Sequence, residues 1–370
     1  MSRETPFYGS LQALTDRWMD LFGYFAPAVV TDTQSEYNAV REAAGLMDFS
    51  MLRKVDLDGA GALQLVNSIV CRDVSTLRPG RIAYGPLCDA DGKMVDDCTV
   101  MPRSAGGDRV RFCGANDRDY EIFSTAADGL GIDVRERTDE LPHLCLQGPK
   151  SRAILQSMTT TDLSSQAFPY YTFQEDVEVA GIPVFMTRLG YTAELGYELW
   201  VDRDRALDLW DALLREGADH GMAVIGMDAL DLFRIEGGFI IGGVEYDPTV
   251  SPYECGLGWA VDLDKPEFQG RHALRAGDDA SVLRLTSVVL EAGGAEATGA
   301  ELSCDGSAVG FITQAVVSPY LDGKTLGLAK VERRWADPGT TIEARIAGET
   351  VSGQIVRHPV YDPERRRVKD

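Results

Sequence analysis

Two adjacent acids are the first candidates for chemistry in this chain. Asp96 and Asp97 lie in Asp91-Gly92-Lys93-Met94-Val95-Asp96-Asp97-Cys98-Thr99-Val100, a turn followed by an alternating run. Successive strand side chains point to opposite faces. Met94, Asp96, Cys98 and Val100 therefore share one face, and Val95, Asp97, Thr99 and Met101 the other. The two aspartates are not expected to serve one site together: one meets solvent or caps the turn, while the other enters a pocket. A third acid, Glu198, falls between Tyr197 and Leu199 in an apolar strand pattern. A carboxylate there needs donors to offset its desolvation. An amino-substituted pyrimidine ring offers two parallel donors, and so does a protein arginine. Phe168-Pro169-Tyr170-Tyr171-Thr172-Phe173 gathers four aromatics. Such rings either fill a core or form a platform for a planar heterocycle. Tyr191, in a glycine-rich segment from Gly190 to Gly196, reads as exposed. Arg234 and Glu236 end a helical pattern and read as a structural ion pair more readily than as catalysts. Arg365-Arg366-Arg367 reads as a solvated tail.

The elements that must position these residues alternate between helix and strand periods. Residues 1–50 read as helices with polar interruptions, the last stopped at Gly45. Lys54 to Gly59 alternates as a strand, and Ala60 to Val70 reads as an amphipathic helix. Strands at Ala83–Cys88 and Met94–Met101 flank the turn Asp89-Ala90-Asp91-Gly92-Lys93, which carries hairpin chemistry. A strand near Arg109–Cys113 precedes a helix beginning around Asn116. A second unit starts near Leu141, with strands at 144–146, 176–179, 184–187 and 197–201. Ala206, Leu209, Trp210, Leu213 and Leu214 recur at helical spacing up to a stop at Gly217. A further helix spans 227–236. Ala276 to Ala280 reads as a boundary. Beyond it, short β-type segments at 282–290, 309–313, 326–331, 341–346 and 351–356 indicate a small barrel or sandwich. The fold class is α+β, with residues 1–275 as one domain of two mixed units and 276–370 as a terminal β domain.

Composition narrows the function classes. The chain has 370 residues with 36 Lys plus Arg against 58 Asp plus Glu, a formal charge of −22. So acidic a chain lacks the basic face that nucleic-acid backbones need, and it is not suited to an anionic membrane. No apolar run reaches the ~18 residues that mark a spanning helix. The N-terminus lacks the apolar stretch of a signal peptide, so a cytoplasmic location is expected. The 7 cysteines form no C-x-x-C pair, and no two of the 4 histidines stand at helical ligand spacing. No metal is expected, and the thiols read as small buried hydrophobes. Neither a G-x-S-x-G elbow nor a standard nucleotide loop is present.

Taken together, several segments resemble the aminomethyltransferase family, whose best-known member is the T-protein of the glycine cleavage system. They are Thr5-Pro6-Phe7-Tyr8, Ala44-Gly45-Leu46-Met47-Asp48, Tyr84, Gly92 to Asp97, Leu146-Gln147-Gly148-Pro149, Tyr170-Tyr171, Gly190-Tyr191-Thr192, Gly196-Tyr197-Glu198, Arg234-Ile235-Glu236, Val309 to Thr313 and Ser318-Pro319. Their order covers nearly the whole chain. The resemblance implies three subdomains around a folate pocket, a C-terminal small β-barrel, and tetrahydrofolate as one-carbon acceptor. It implies Asp97 beside the reactive folate nitrogen, Glu198 gripping the pterin ring, and Tyr84, Tyr171, Tyr191 and Asn116 in the pocket. Asp97 and Tyr191 are the expected catalytic pair.

The donor side departs from the family pattern. Met51 stands where the T-protein usually has histidine, Leu230 where it has arginine, and Phe239 where it has tyrosine. A leucine cannot hold a carboxylate as an arginine does. The expectation is therefore a demethylase moving a methyl group from a small ether, amine or sulfonium donor to tetrahydrofolate, with Met51, Leu230 and Phe239 facing the donor. The alternatives are the T-protein reaction itself, a non-enzymatic folate-binding accessory protein and a structural subunit of an oxidase complex. A lipoyl carrier protein is not expected as a partner.

Overall fold

The computed structural model describes residues 2–277 and 282–370. Asp278-Asp279-Ala280, part of the expected boundary, lie outside the described residues. Two sheets and a barrel make the frame. A five-stranded sheet runs in the order Ala83–Cys88, Met94–Pro102, Arg109–Gly114, Arg53–Asp58, Asp133–Glu136. A six-stranded sheet runs Phe173–Val179, Ile182–Thr187, Gly196–Val201, His143–Gln147, Ala44–Asp48, Met222–Val224. Leu283–Leu290, Lys324–Glu332, Ser307–Ser318, Glu301–Cys304, Thr341–Ile346 and Glu349–Val356 close into the C-terminal barrel.

The first fifty residues differ from their helical reading. Trp18–Leu21 and Tyr24–Pro27 form a hairpin, and Ala44–Asp48 is a fully buried strand. Gly45 does not end a helix. It lies within this strand because a Cβ there would run into Val40 and Ile225. The helix Thr33–Glu42 is started instead by Asp32, whose carboxylate accepts the Ser35 N–H at 2.8 Å. Such caps contribute about 1 kcal/mol. A strand buried on both faces shows no period-2 alternation, so its apolar run is easily read as helix.

The helix Ala206–Ala218 buries Leu209, Trp210 and Leu213 against the six-stranded sheet, as its spacing predicts. The expected helix at Asn116 begins later, at Asp119. Glu301–Cys304 is a barrel strand that its glycine- and alanine-rich approach concealed. All seven cysteines are buried and free. The barrel is tied to the helix Met227–Gly237 by polar contacts. Ser318 donates to Glu236 at 2.7 Å, and Arg234 reaches Gln314.

Candidate active site

Between the two sheets, capped by Met227–Gly237 and the segment after it, lies a cavity of about 200 Å³. Two adjoining strands supply its polar wall. Asp97 is on Met94–Pro102 and Tyr84 on Ala83–Cys88, and the Tyr84 hydroxyl donates to Asp97 Oδ2 at 2.8 Å. From a distant loop, the Tyr246 hydroxyl lies 2.5 Å from Asp97 Oδ1 and accepts the Asp97 N–H at 3.1 Å. Burial is the main force lifting the Asp97 carboxyl, to about 6, and the neighbouring Asp96 adds to it; the two tyrosines pull it back. A carboxyl poised there takes and releases a proton near neutral pH.

Glu198 enters from Gly196–Val201. Thr187, opposite it on the next strand, donates to Oε2 at 2.9 Å. Burial raises the Glu198 carboxyl, and the Thr187 hydroxyl opposes the rise. Behind it, Lys54 is buried, donates to the Ser50 carbonyl at 3.0 Å, and is lowered by burial to about 8. His143, Cys145 and Glu198 each place one ligand-type atom within 4.8 Å of the others, but charge from Lys54 already acts on all three.

The aromatic run divides its labour. Phe168 packs on Tyr197 at 6.0 Å and Phe173 stacks on Phe185 at 4.9 Å, while Tyr170 and Tyr171 face the cavity. Tyr171 holds φ at +63°, a conformation uncommon outside glycine. Flanking backbone bonds maintain it: its N–H reaches the Arg188 carbonyl at 3.1 Å, and its carbonyl accepts the Ile82 N–H at 3.0 Å. Tyr191 lines the cavity and stacks on Phe239 at 5.1 Å, with its hydroxyl engaged by the Ile240 carbonyl. Its loop needs Gly190, since a Cβ there would collide with the Gln147 amide that pins the loop at Leu189 and Thr192.

Met51, Leu230 and Phe239 form the apolar wall with Phe22, Phe49 and Ile240. No Lys or Arg lines the cavity among the described residues.

Four readings need correction. Asn116 turns away from the cavity: its amide donates to the Val95 carbonyl at 2.7 Å and its Oδ1 accepts the Arg118 N–H at 3.0 Å, so Ala115 forms the wall there. Asp96 neither meets solvent nor caps the turn. It is 1% exposed and shares Tyr246 with Asp97, because the tyrosine comes in from a third element at the strand edge. Arg234 and Glu236 do not pair with each other. Positions two apart on a helix diverge; Arg234 binds Asp231 and Glu245, while Glu236 binds Arg41. Two of the three tail arginines are engaged by the rest of the fold. Arg365 donates to the Gly237 carbonyl at 2.8 Å and covers the Phe239 ring at 4.7 Å, and Arg367 pairs with Glu194. Tyr246 was missed altogether. It lies 149 residues from Asp97, and no local pattern marks it.

An acid held by tyrosines, a second acid lining the same cavity and a closed barrel that follows in the chain form the frame that comparison with known proteins places in a family. Residues 7–265 match the model of the GCVT N-terminal domain, and residues 284–362 match that of the glycine cleavage T-protein C-terminal barrel domain. An aminomethyltransferase from Geobacillus thermodenitrificans is 33% identical over 98% of this chain and 99% of its own length. One from Caldanaerobacter subterraneus is 30% identical, covering 97% and 96%. The crystal structure of glycine cleavage system aminomethyltransferase T from Bartonella henselae superposes with a TM-score of 0.87 at 22% identity, covering 98% of this chain and 99% of that one. It shares the fold. The chain belongs to the glycine cleavage T-protein family and is a one-carbon transferase that uses tetrahydrofolate.

Proposed function

We propose that this chain is an aminomethyltransferase, moving a one-carbon unit from an aminomethyl donor to tetrahydrofolate in the cavity between the sheets. The full-length likeness to relatives named aminomethyltransferase supports this reading over the demethylase expected from Met51 and Leu230. The observation that carries it is Asp97, half-buried, gripped by Tyr84 and facing the same cavity as Glu198. Tetrahydrofolate, when bound, supplies the nucleophilic nitrogen that accepts the carbon.

In this reading Glu198 is the acceptor for the amino-pyrimidine edge, and its desolvation is offset by that ligand's donors. Tyr84 and Tyr171 bound the ring. Asp97 orients the reactive nitrogen and takes its proton. Much of the acceleration comes from holding the two reactants in contact, worth up to about 7–11 kcal/mol in favourable cases. A lipoyl carrier protein then becomes a partner to test. A second reading, methyl transfer from a small ether, amine or sulfonium donor, rests on the absence of any cation along the Met51, Leu230 and Phe239 wall among the described residues.

The deciding experiment incubates the protein with tetrahydrofolate and either an aminomethyl-loaded lipoyl carrier or a panel of methyl ethers, methylamines and sulfonium compounds. Mass spectrometry of the folate product is expected to show methylene transfer from the carrier. Methyl transfer from a panel compound, with the carrier inert, would replace the first reading by the second.

A further inference from the structure

We propose that Tyr246 is a positioning residue for Asp97, and that it links Asp97 to a buried acid pair, Asp96 and Asp119, which takes up the proton that Asp97 removes. The proposal deepens the reading above and rests on Asp97 being the base beside the one-carbon acceptor.

The geometry is a chain of oxygens leading away from the cavity. The Tyr246 hydroxyl lies 2.5 Å from Asp97 Oδ1 and 3.0 Å from Asp96 Oδ1. A phenol has one hydrogen, so it donates to one carboxylate at a time and its oxygen remains open to a proton from the other. Asp96 Oδ2 accepts the Ala115 and Asn116 N–H groups at 2.6 and 3.1 Å. Beyond it lies Asp119, wholly buried, with neither carboxyl oxygen hydrogen-bonded in good geometry. The two carboxyls converge over Gly114, where a Cβ would sit within contact of both Asp96 Oδ2 and Asp119 Oδ2. No cation pairs with this trio among the described residues; Arg53, the nearest contributor of positive charge, is paired with Asp117. Two dry carboxylates this close do not both ionise. Burial and the Asp96 charge raise the Asp119 carboxyl well above its ordinary range.

The step balances within the protein. Asp97 leaves the transfer carrying one proton. That proton passes from Asp97 Oδ1 to the Tyr246 oxygen while the tyrosine's own hydrogen passes to Asp96 Oδ1. One O–H bond breaks and one forms at each hop, no electrons leave, and Tyr246 ends as the phenol. Once product has left, the reverse path returns the proton to Asp97, and Asp97 releases it to water entering the open cavity, which restores the ionised base. The titratable groups that interact electrostatically with Asp97 are Tyr84, Asp96, Cys98, Tyr246, Cys255, Tyr171 and Tyr191. Those facing Asp119 are Asp96, Cys98, Cys113 and Arg53.

Carboxyl NMR on the folate-free protein tests the link without relying on activity. In Tyr246→Phe the Asp97 midpoint is expected to rise above its wild-type value by about one pH unit, because a donor to the ionised form is lost. In Asp96→Asn it is expected to fall by about one unit, because a like charge is lost. Infrared spectra at neutral pH are expected to show a protonated-carboxyl band that Asp119→Asn removes. With tetrahydrofolate and donor, Tyr246→Phe is expected to slow single turnover by about tenfold to a hundredfold while KM stays within about twofold. If Tyr246→Phe does not fold, Asp96→Asn and Asp119→Asn carry the same test. An Asp97 midpoint unmoved in the folded variants, or an Asp119 band absent from wild type, overturns the relay. Absence of tetrahydrofolate binding heat with wild-type protein overturns the functional reading instead.

Discussion

The two walls of the cavity are built on different principles. On the polar wall, each acid is held by a partner from another element: Tyr84 and Tyr246 for Asp97, and Thr187 for Glu198. On the apolar wall, Met51, Leu230 and Phe239 are held by packing, Met51 and Leu230 within one core cluster and Phe239 between Tyr191 and Arg365. The polar wall can fix a ring's orientation and move a proton. The apolar wall can select a donor by shape and by exclusion of water, but it offers no charge for a donor to bind. In the proposed reading, bond-making falls to the polar wall and donor choice to the apolar one.

The largest expected effect falls on the polar wall. Asp97→Asn is expected to lower single-turnover transfer by about 10²–10⁴-fold with folate affinity little changed, as read by rapid quench and calorimetry. Equal loss of affinity and rate would make Asp97 a binding group instead. Glu198→Gln is expected to weaken tetrahydrofolate binding by about 1.5–3 kcal/mol, the range for a charge-assisted hydrogen bond, while kcat at saturating folate stays near wild type.

On the apolar wall, Met51→Ala is expected to destabilise the fold by about 2–5 kcal/mol, because the side chain is 1% exposed. Denaturant unfolding measures this, and the donor KM is expected to change more than the folate Kd.

The pH response separates the walls more finely. Asp97 is held near 6 against an ordinary 3.8, so folding favours its protonated form. The stability this contributes is complete below about pH 4 and is lost as pH rises through about 6. Transfer that needs the ionised base rises over the same window. Asp97→Asn is therefore expected to melt above wild type at pH 8 and to lose that advantage at pH 4. Arg365→Ala is the smallest case: loss of its contact with Phe239 is expected to cost about 0.5–1 kcal/mol and to move the donor KM only slightly.

Much of this was legible from residue order. The alternation through Met94–Pro102 placed Asp97 and Asp96 on opposite faces, and the period at Ala206–Ala218 defined a helix. These patterns are local, and a local rule suffices where one face is buried and the other wet. The strand Ala44–Asp48 was not legible, because both of its faces are buried. Asn116 was misplaced because a shift of one residue in a turn decides whether a side chain or its neighbour meets the cavity.

By itself the sequence determined the acid and aromatic inventory and the α+β order, since each follows from residue type and spacing, while the Met51, Leu230 and Phe239 wall was legible only through the family resemblance. Only the tertiary structure decided that Tyr246 joins Asp96 to Asp97, that Arg365 folds back over Phe239 and that Arg234 and Glu236 take separate partners. The physical reason is reach. A side chain's hydrogen-bond partner is set by which distant backbone arrives within 3 Å, and sequence spacing carries no information about that arrival.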